Sequence, residues 1–339
     1  MIRLTPAFAV MALLGAATVP LGAQSELSSF PTDGQPPIGV LAARMATRGS
    51  WTLSYRYRRA YLGGNRNGTA EVTPHNVLAS FLFAPLDLTA TTHTPALAFA
   101  PSERLTLTAS VDLRQLSMDH VTRQNRNFTA ASSGLGDATL GALFALMNGG
   151  TTRAHLSAQI SIPTGSIEKT GTHPLSETTA QQPYVLQLGS GTVDLTPGVT
   201  VTGTAYAVAW GLQADATVRV GANNRGYQLG NAVETTAWVV AQPLTGFTVS
   251  GRLLARHWSK ITGHDAVYPD RTLSPAVREE TSGGTRVDLP LGLSYIFRKG
   301  PLMGHRLAAE WHIPLHQDLN GPQLETDWVL TVGWEKSVR

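Results

Sequence analysis

The stretch Trp51-Thr52-Leu53-Ser54-Tyr55-Arg56-Tyr57-Arg58 decides how this chain folds. Apolar and aromatic residues hold every odd position, and hydroxyl or guanidinium groups hold every even one. Side chains of an extended chain alternate between two faces, so this period marks a strand with one apolar and one charged face. The pattern recurs. Residues 104–114 set Leu105, Leu107, Ala109, Val111 and Leu113 against Thr106, Thr108, Ser110, Asp112 and Arg114. Residues 152–162, 206–220, 286–297, 306–315 and 327–335 repeat it, and weaker versions fill 86–100, 135–147, 191–202, 227–242 and 247–260. The count is about twelve strands, with boundaries good to a few residues. Many run to about ten residues, longer than soluble sheets need and long enough to cross a bilayer at a tilt.

Composition agrees. The 339 residues are 42% hydrophobic, yet only 14% are charged, against about 25% in a typical soluble protein. The apolar residues are spread thinly, as alternating lipid-facing strands require. The net charge of +3 and the lack of a Lys/Arg-rich run argue against nucleic-acid binding. No cysteine is present, so the fold depends on packing or on a closed hydrogen-bonded sheet rather than on disulfides. No cofactor motif is recognisable.

The first residues read as a secretory signal peptide: Arg3, an apolar run over 6–17, then Pro20 and the small residues of Leu21-Gly22-Ala23 before Gln24. Residues 1–23 are therefore expected to be cleaved, 24–50 to form a periplasmic segment, and 51–339 to form one barrel. The expected connections alternate in length. Long ones fall at about 63–85, 119–134, 164–190 and 261–284, and short ones at 101–103, 148–151, 203–205, 243–245 and 299–304. Outer-membrane barrels have short periplasmic turns and longer outside loops, and an even strand number returns the chain to its starting side. The fold class expected is all-β: a single antiparallel up-and-down transmembrane barrel. Trp51, Tyr55, Tyr206, Trp258, Trp311, Trp328 and Trp334 are candidates for interfacial aromatic girdles.

The polar face then lines a lumen. Its charges are Arg56, Arg58, Asp112, Arg114, Asp215, Arg219, Arg252, Arg286, Asp288, Arg306 and Glu310, with Asp327 and Glu335 alongside. Ladders of opposite charge across a pore select solutes by charge and size. The plainer reading is that they pair across strands and fill a narrow interior.

Several segments carry more than periodicity. Gly134-Leu135-Gly136-Asp137 opens a strand, Ile162-Pro163-Thr164-Gly165 closes one, and Leu188-Gly189-Ser190-Gly191-Thr192-Val193-Asp194 opens another. Gly321-Pro322-Gln323-Leu324 leads into the last strand. The glycines suit bends or bulges where positive φ or close backbone approach is needed. A phosphate-binding loop would need a helix after the glycines, and no helical period follows.

Together, in order, these motifs resemble the outer-membrane β-barrel family named for the meta-pathway of phenol degradation. The resemblance spans about residues 37–334. It implies an outer-membrane channel or transporter for small solutes, including hydrophobic or aromatic ones. Its implied partners are the lipid bilayer, the outer-membrane assembly machinery and a small-molecule solute. Two departures stand out. The last aromatic residue, Trp334, is followed by Glu335-Lys336-Ser337-Val338-Arg339, whereas such barrels usually end on an aromatic, and methionines number only six. A second expectation is a structural or surface-interaction barrel with a plugged lumen and binding loops.

Catalysis and metal binding gain little. A barrel hydrolase would need a Ser–His pair with an orienting group. Only Ser157 near His155 and Ser259 near His257 offer one, and nothing in sequence orients either histidine. His312 and His316 share a strand face at a spacing of about 13 Å, too far for one metal ion.

Overall fold

A computed structural model describes residues 35–149, 151–175, 179–268 and 271–338. The expected signal peptide, residues 1–23, lies outside them.

The wall is a closed antiparallel sheet in which each strand pairs with its sequence neighbours. Its elements are β1 (Trp51–Gly68), β2 (Phe83–Phe99), β3 (Leu105–Thr122), β4 (Asn127–Gly149), β5 (Thr152–Ile162) and β6 (Val193–Ala205). They continue as β7 (Val208–Val220), β8 (Ala232–Leu244), β9 (Phe247–Trp258), β10 (Gly284–Ile296) and β11 (His305–Val338). β11 is a hairpin. Its first arm pairs with β10 from Arg306 to Leu319, and its second pairs with β1 from Gln323 to Val338. Gly321, at φ +75°, makes the fold-back, a left-handed conformation that glycine adopts without steric cost. The chain therefore crosses the wall twelve times. Antiparallel closure of β1 on β11 requires an even number. A short strand, Ala70–Val72, adds an extension beside β1.

The molecule is inside out. Leu53, Leu107, Leu140, Leu156, Val239 and Leu293 are exposed on the outer surface, while Gln213, Arg252, Asp288, Glu310 and Thr331 are buried. In water that exterior would be one continuous apolar patch, so the favourable surroundings are hydrocarbon. Aromatic residues bound the belt. At the lower edge Trp51 stacks on Phe99 at 4.4 Å, and at the upper edge Trp328 stacks on Trp311 at 4.9 Å and on Tyr61 at 6.1 Å. Trp51 and Tyr61 are separated by ~33 Å of strand. At a tilt of about 40° this spans ~25 Å along the axis, the height of a lipid-facing band. Two expected girdle residues lie elsewhere: Trp258 lines an internal chamber, and Tyr206 stands fully exposed at a turn.

Short turns at 100–104, 206–207, 245–246 and 297–304 and the β4–β5 connection at Thr151 share one end of the barrel. The other end carries 69–82, 123–126, 163–192, 221–231, 259–283 and 320–321. One expected loop is corrected. Residues 119–134 are mostly strand, because β3 and β4 stay paired up to Val121 and Asn127 and turn tightly around Asn125. The polar residues there misled because strands rising above the membrane need no apolar face. A second correction is the turn expected at 203–205. Those residues are in β6, and Tyr206 with positive φ makes the turn. In the loop at 69–82, the short helix α1 (Pro74–Ser80) starts on a Thr73 cap and buries Val77 against Phe81, Ala84 and Val121.

Candidate functional site

The lumen is filled in three layers. Residues 35–50, part of the expected periplasmic segment, turn back into the barrel from the short-turn end. Pro36 O accepts from Arg306 at 2.6 Å, Leu41 O accepts from Gln213 at 2.8 Å, and Ala46 N donates to Thr106 at 3.0 Å. Val40 and Ala43 pack on the inward-facing Ala209, Trp238 and Val240. At the tip, Gly39 rests against a charge cluster so closely that a Cβ there would lie 2.1 Å from Glu310 Oε1. Glycine is required at this approach.

The cluster at mid-height is built from three strands. Arg252 donates to Glu310 at 2.8 Å across the intervening strand β10, where Gly292, Glu310's register partner, carries no side chain. His312 Nε2 is 2.9 Å from Glu310, and Arg286 donates to Asp288 at 3.0 Å. Arg252, Glu310 and Asp288 are almost wholly sequestered from solvent. Buried charges survive only when paired and hydrogen-bonded, which this network provides.

Above the cluster lies a chamber of about 480 Å³, roofed by loops from the long-loop end. The roof is held by the sequence motifs. β4 bulges by one residue here, setting Gly136 and Asp137 opposite the single Asp112 of β3. The Asp137 carboxylate accepts from Gly165 N at 2.9 Å, Ser190 N at 2.8 Å and Ser190 Oγ at 3.2 Å. Thr164 Oγ1 donates to Gly136 O and accepts from Ala138 N, both at 2.9 Å. Gly165 and Gly189 pack backbone to backbone, and a Cβ on Gly165 would meet Gly189 at 2.8 Å. Pro163, at the exit from β5, leads into this knot. The two ends of loop 163–192 are thereby pinned to the wall. Its interior drops Leu186 and Leu188 onto Leu88, Leu116, Met118 and Ala130 of the inner wall.

Three loops share the roof's core: Ile167 and Tyr184, then Tyr227, then Ile261, Tyr268 and Val277. Tyr184 donates to Glu279 at 2.7 Å, and Arg271 donates to the same carboxylate at 2.6 Å. Burial pushes the Tyr184 hydroxyl well above its usual range, and the Glu279 bond adds to this. Burial pushes Tyr227 up to about 12. For Glu279 burial acts upward, but His264, Tyr184 and Arg271 outweigh it and hold the carboxyl below its ordinary value.

The charges expected to line the lumen face inward, with the exception of Asp327, and most are paired. Asp112 bonds Arg114 at 3.1 Å, Arg306 bonds Glu335 at 3.0 Å, and Arg219 bonds Asp194. Arg56, Arg58 and Asp215 have no ion-pair partner among the described residues; the side chain beside Asp215 in register is Glu234, of like charge. Asp327 departs from the pattern, being exposed at a bulge where Tyr61 pairs Trp328 and Leu62 pairs Thr326. A second bulge splits the two histidines. The register shifts between Val287 and Asp288, so His312 stays inside while His316 is exposed and Gln317 takes the inward place. Both histidines and Ser259 of the Ser–His pairs bond other groups, while the buried Ser157 hydroxyl has no hydrogen-bond partner among the described residues. His155 bonds Ala42 O at 2.8 Å, His257 bonds Thr285 at 2.9 Å, and Ser259 bonds Asn231 O at 3.4 Å.

Arg256 and Arg278, both on the chamber wall, are the residues sequence reasoning missed. Arg256 shares the inward parity of Arg252, but its strand reads as weakly patterned. Arg278 lies in a loop with no period to reveal it.

A wall of twelve crossings, an apolar belt between aromatic bands and a charged interior define a membrane-spanning barrel. No protein-family model and no curated protein matches the chain. Among solved structures it is similar to an outer membrane channel from Pseudomonas putida F1, at a TM-score of 0.63 and 13% identity, covering 89% of this chain and 100% of that one. It is more distantly similar to the KdgM porin, at a TM-score of 0.41 and 9% identity over 85% of this chain and 99% of that chain. A Pseudomonas aeruginosa FadL homologue also gives 0.41, at 10% identity over 85% of this chain and 90% of its own.

Proposed function

We propose that this protein is an outer-membrane channel for small solutes, occluded at rest and opened by movement of its own segments. The observation that carries the reading is the arginine-bordered chamber between the 35–50 segment and the loop roof. A purely structural barrel has no use for a hollow there, and a filled core would be more stable. The lipid bilayer surrounds the belt, the signal peptide delivers the chain to the envelope, and the assembly machinery inserts it. The motif resemblance favours solutes that include hydrophobic or aromatic compounds. Arg56, Arg58, Asp215 and Arg219 are the charges we assign to selectivity, since three lack an ion pair and the fourth borders the chamber.

The alternative is a plugged barrel whose loops bind a surface partner, favoured by how thoroughly the three loops pack together. Liposome swelling separates the two. Vesicles carrying the folded barrel should swell in small uncharged or anionic solutes faster than empty vesicles. Swelling indistinguishable from empty vesicles, with heat-modifiable gel migration confirming the fold, would favour the plugged barrel.

A further inference from the structure

The chamber's lining is chemically lopsided. Arg114, Arg219, Arg256, Arg278 and Arg286 border it, and the one carboxylate among its lining residues is Asp137. Asp137 is already occupied by the amides of Gly165 and Ser190. Three of the guanidiniums are neutralised from behind: Arg114 by Asp112, Arg219 by Asp194 and Arg286 by Asp288. Arg256 and Arg278 form no ion pair among the described residues. Instead Arg256 lies over the Trp258 ring at 5.8 Å and Arg278 over Phe81 at 5.4 Å.

The placement of Arg256 is costly without a ligand. It stands directly opposite Arg286 in the β9–β10 register, and like charges at facing positions destabilise a sheet. Glu234 is its register neighbour on β8 but makes no ion pair with it. The arrangement is relieved by an anion entering between the two guanidiniums. A planar carboxylate suits that role, because a guanidinium presents parallel donors at matching spacing.

The rest of the wall mixes neutral polar side chains, among them Gln187, Ser190, Gln317 and Thr326, with apolar ones. Leu62, Leu88, Met118, Leu229 and Leu324 line the same hollow. Its volume of about 480 Å³ falls within the roughly 300–1,000 Å³ of small-molecule pockets. Guanidiniums and apolar side chains bordering one hollow suit an anionic head on an apolar body.

We propose that the chamber is a binding site for a small carboxylate with an apolar body, held by Arg256 and Arg286. This rests on the reading of the barrel as a solute channel and names the chemistry of its solute.

The test is calorimetric titration of the folded full-length mature barrel in detergent with benzoate, with benzamide as its neutral isostere and with inorganic phosphate. Benzoate should bind at least tenfold more tightly than either. Arg256→Gln should weaken benzoate at least tenfold and leave benzamide unchanged. That variant removes a like-charge pair, so the barrel should fold, as heat-modifiable migration would show. Arg278→Gln, on the loop roof and outside the sheet, gives a second and smaller loss. Equal binding of benzoate and benzamide would overturn the proposal. Equal binding of phosphate would show a mere charge trap and overturn it too, as would benzoate affinity unaffected by Arg256→Gln. Because binding is read without flux, a barrel that passes solutes but ignores benzoate refutes this inference alone. One that binds benzoate but passes nothing refutes the channel reading and leaves the site.

Discussion

Removing the Asp137 carboxylate should release the roof while leaving the barrel intact. In Asp137→Ala the amides of Gly165 and Ser190 lose their acceptor, along with the Ser190 hydroxyl. A hydrogen bond to a charged group contributes about 1.5–3 kcal/mol. Taking the low end for the two amide bonds gives a loss of ~3 kcal/mol in the closed state of loop 163–192. At 1.4 kcal/mol per factor of ten, the population of the detached loop should rise ~100-fold. Native-state hydrogen exchange reads this directly. Amides at 165–190 should exchange about two orders of magnitude faster, while those of β1 and β11, on the far side of the closure, keep their protection. Asp137→Asn retains one acceptor oxygen and should fall between. Unchanged exchange at 165–190 in the alanine variant would refute the claim that this carboxylate holds the loop. Equal acceleration throughout would show that it supports the wall instead.

Three further outcomes follow from the same geometry. Leu156→Arg puts a charge on the lipid face near mid-height and should cost ~2–4 kcal/mol by denaturant titration in vesicles, whereas a loss below 0.5 kcal/mol would place Leu156 off the lipid face. Glu310→Gln leaves the buried Arg252 without its carboxylate and should cost about 3–5 kcal/mol by the same titration, unless the guanidinium finds another partner. Acid should loosen the roof. The Glu279 carboxyl is held below its ordinary 4.5, so its contribution is complete above about that pH and is lost as the pH falls through the lower folded value. Protease cleavage of loop 259–283 should therefore accelerate below pH 4.5 in the native protein and not in Glu279→Gln; a pH-independent rate would rule Glu279 out as the latch.

The wall was legible in sequence because its physics is local. Each strand from Trp51 onward alternates with period two, and solvent on one side and lipid on the other force that alternation on every strand. The departures fall where a local rule meets a bulge. His316 lies beside an inserted residue that reverses parity and Asp327 is itself an inserted residue, and no count of alternation reveals an insertion in advance. The motif glycines were readable as bends, but their gathering around Asp137 was not. Gly136 lies within β4 while Gly165 and Gly189 sit at the two ends of loop 163–192, and they meet only once the strands pair. The 35–50 segment was least legible. Ile38, Val40 and Ala43 carry no strand or helix period, and their burial comes from a lumen that twelve other segments create.

The central claim is that the chain's own residues close a solute path through the barrel. Single-channel recording in a planar bilayer tests it most directly, comparing the mature chain with a variant lacking residues 35–49. The variant should give sustained steps several-fold larger than those of the intact chain, because the segment fills the short-turn half of the lumen. Equal conductance from both proteins, or silence from a variant shown to be folded, would contradict the account.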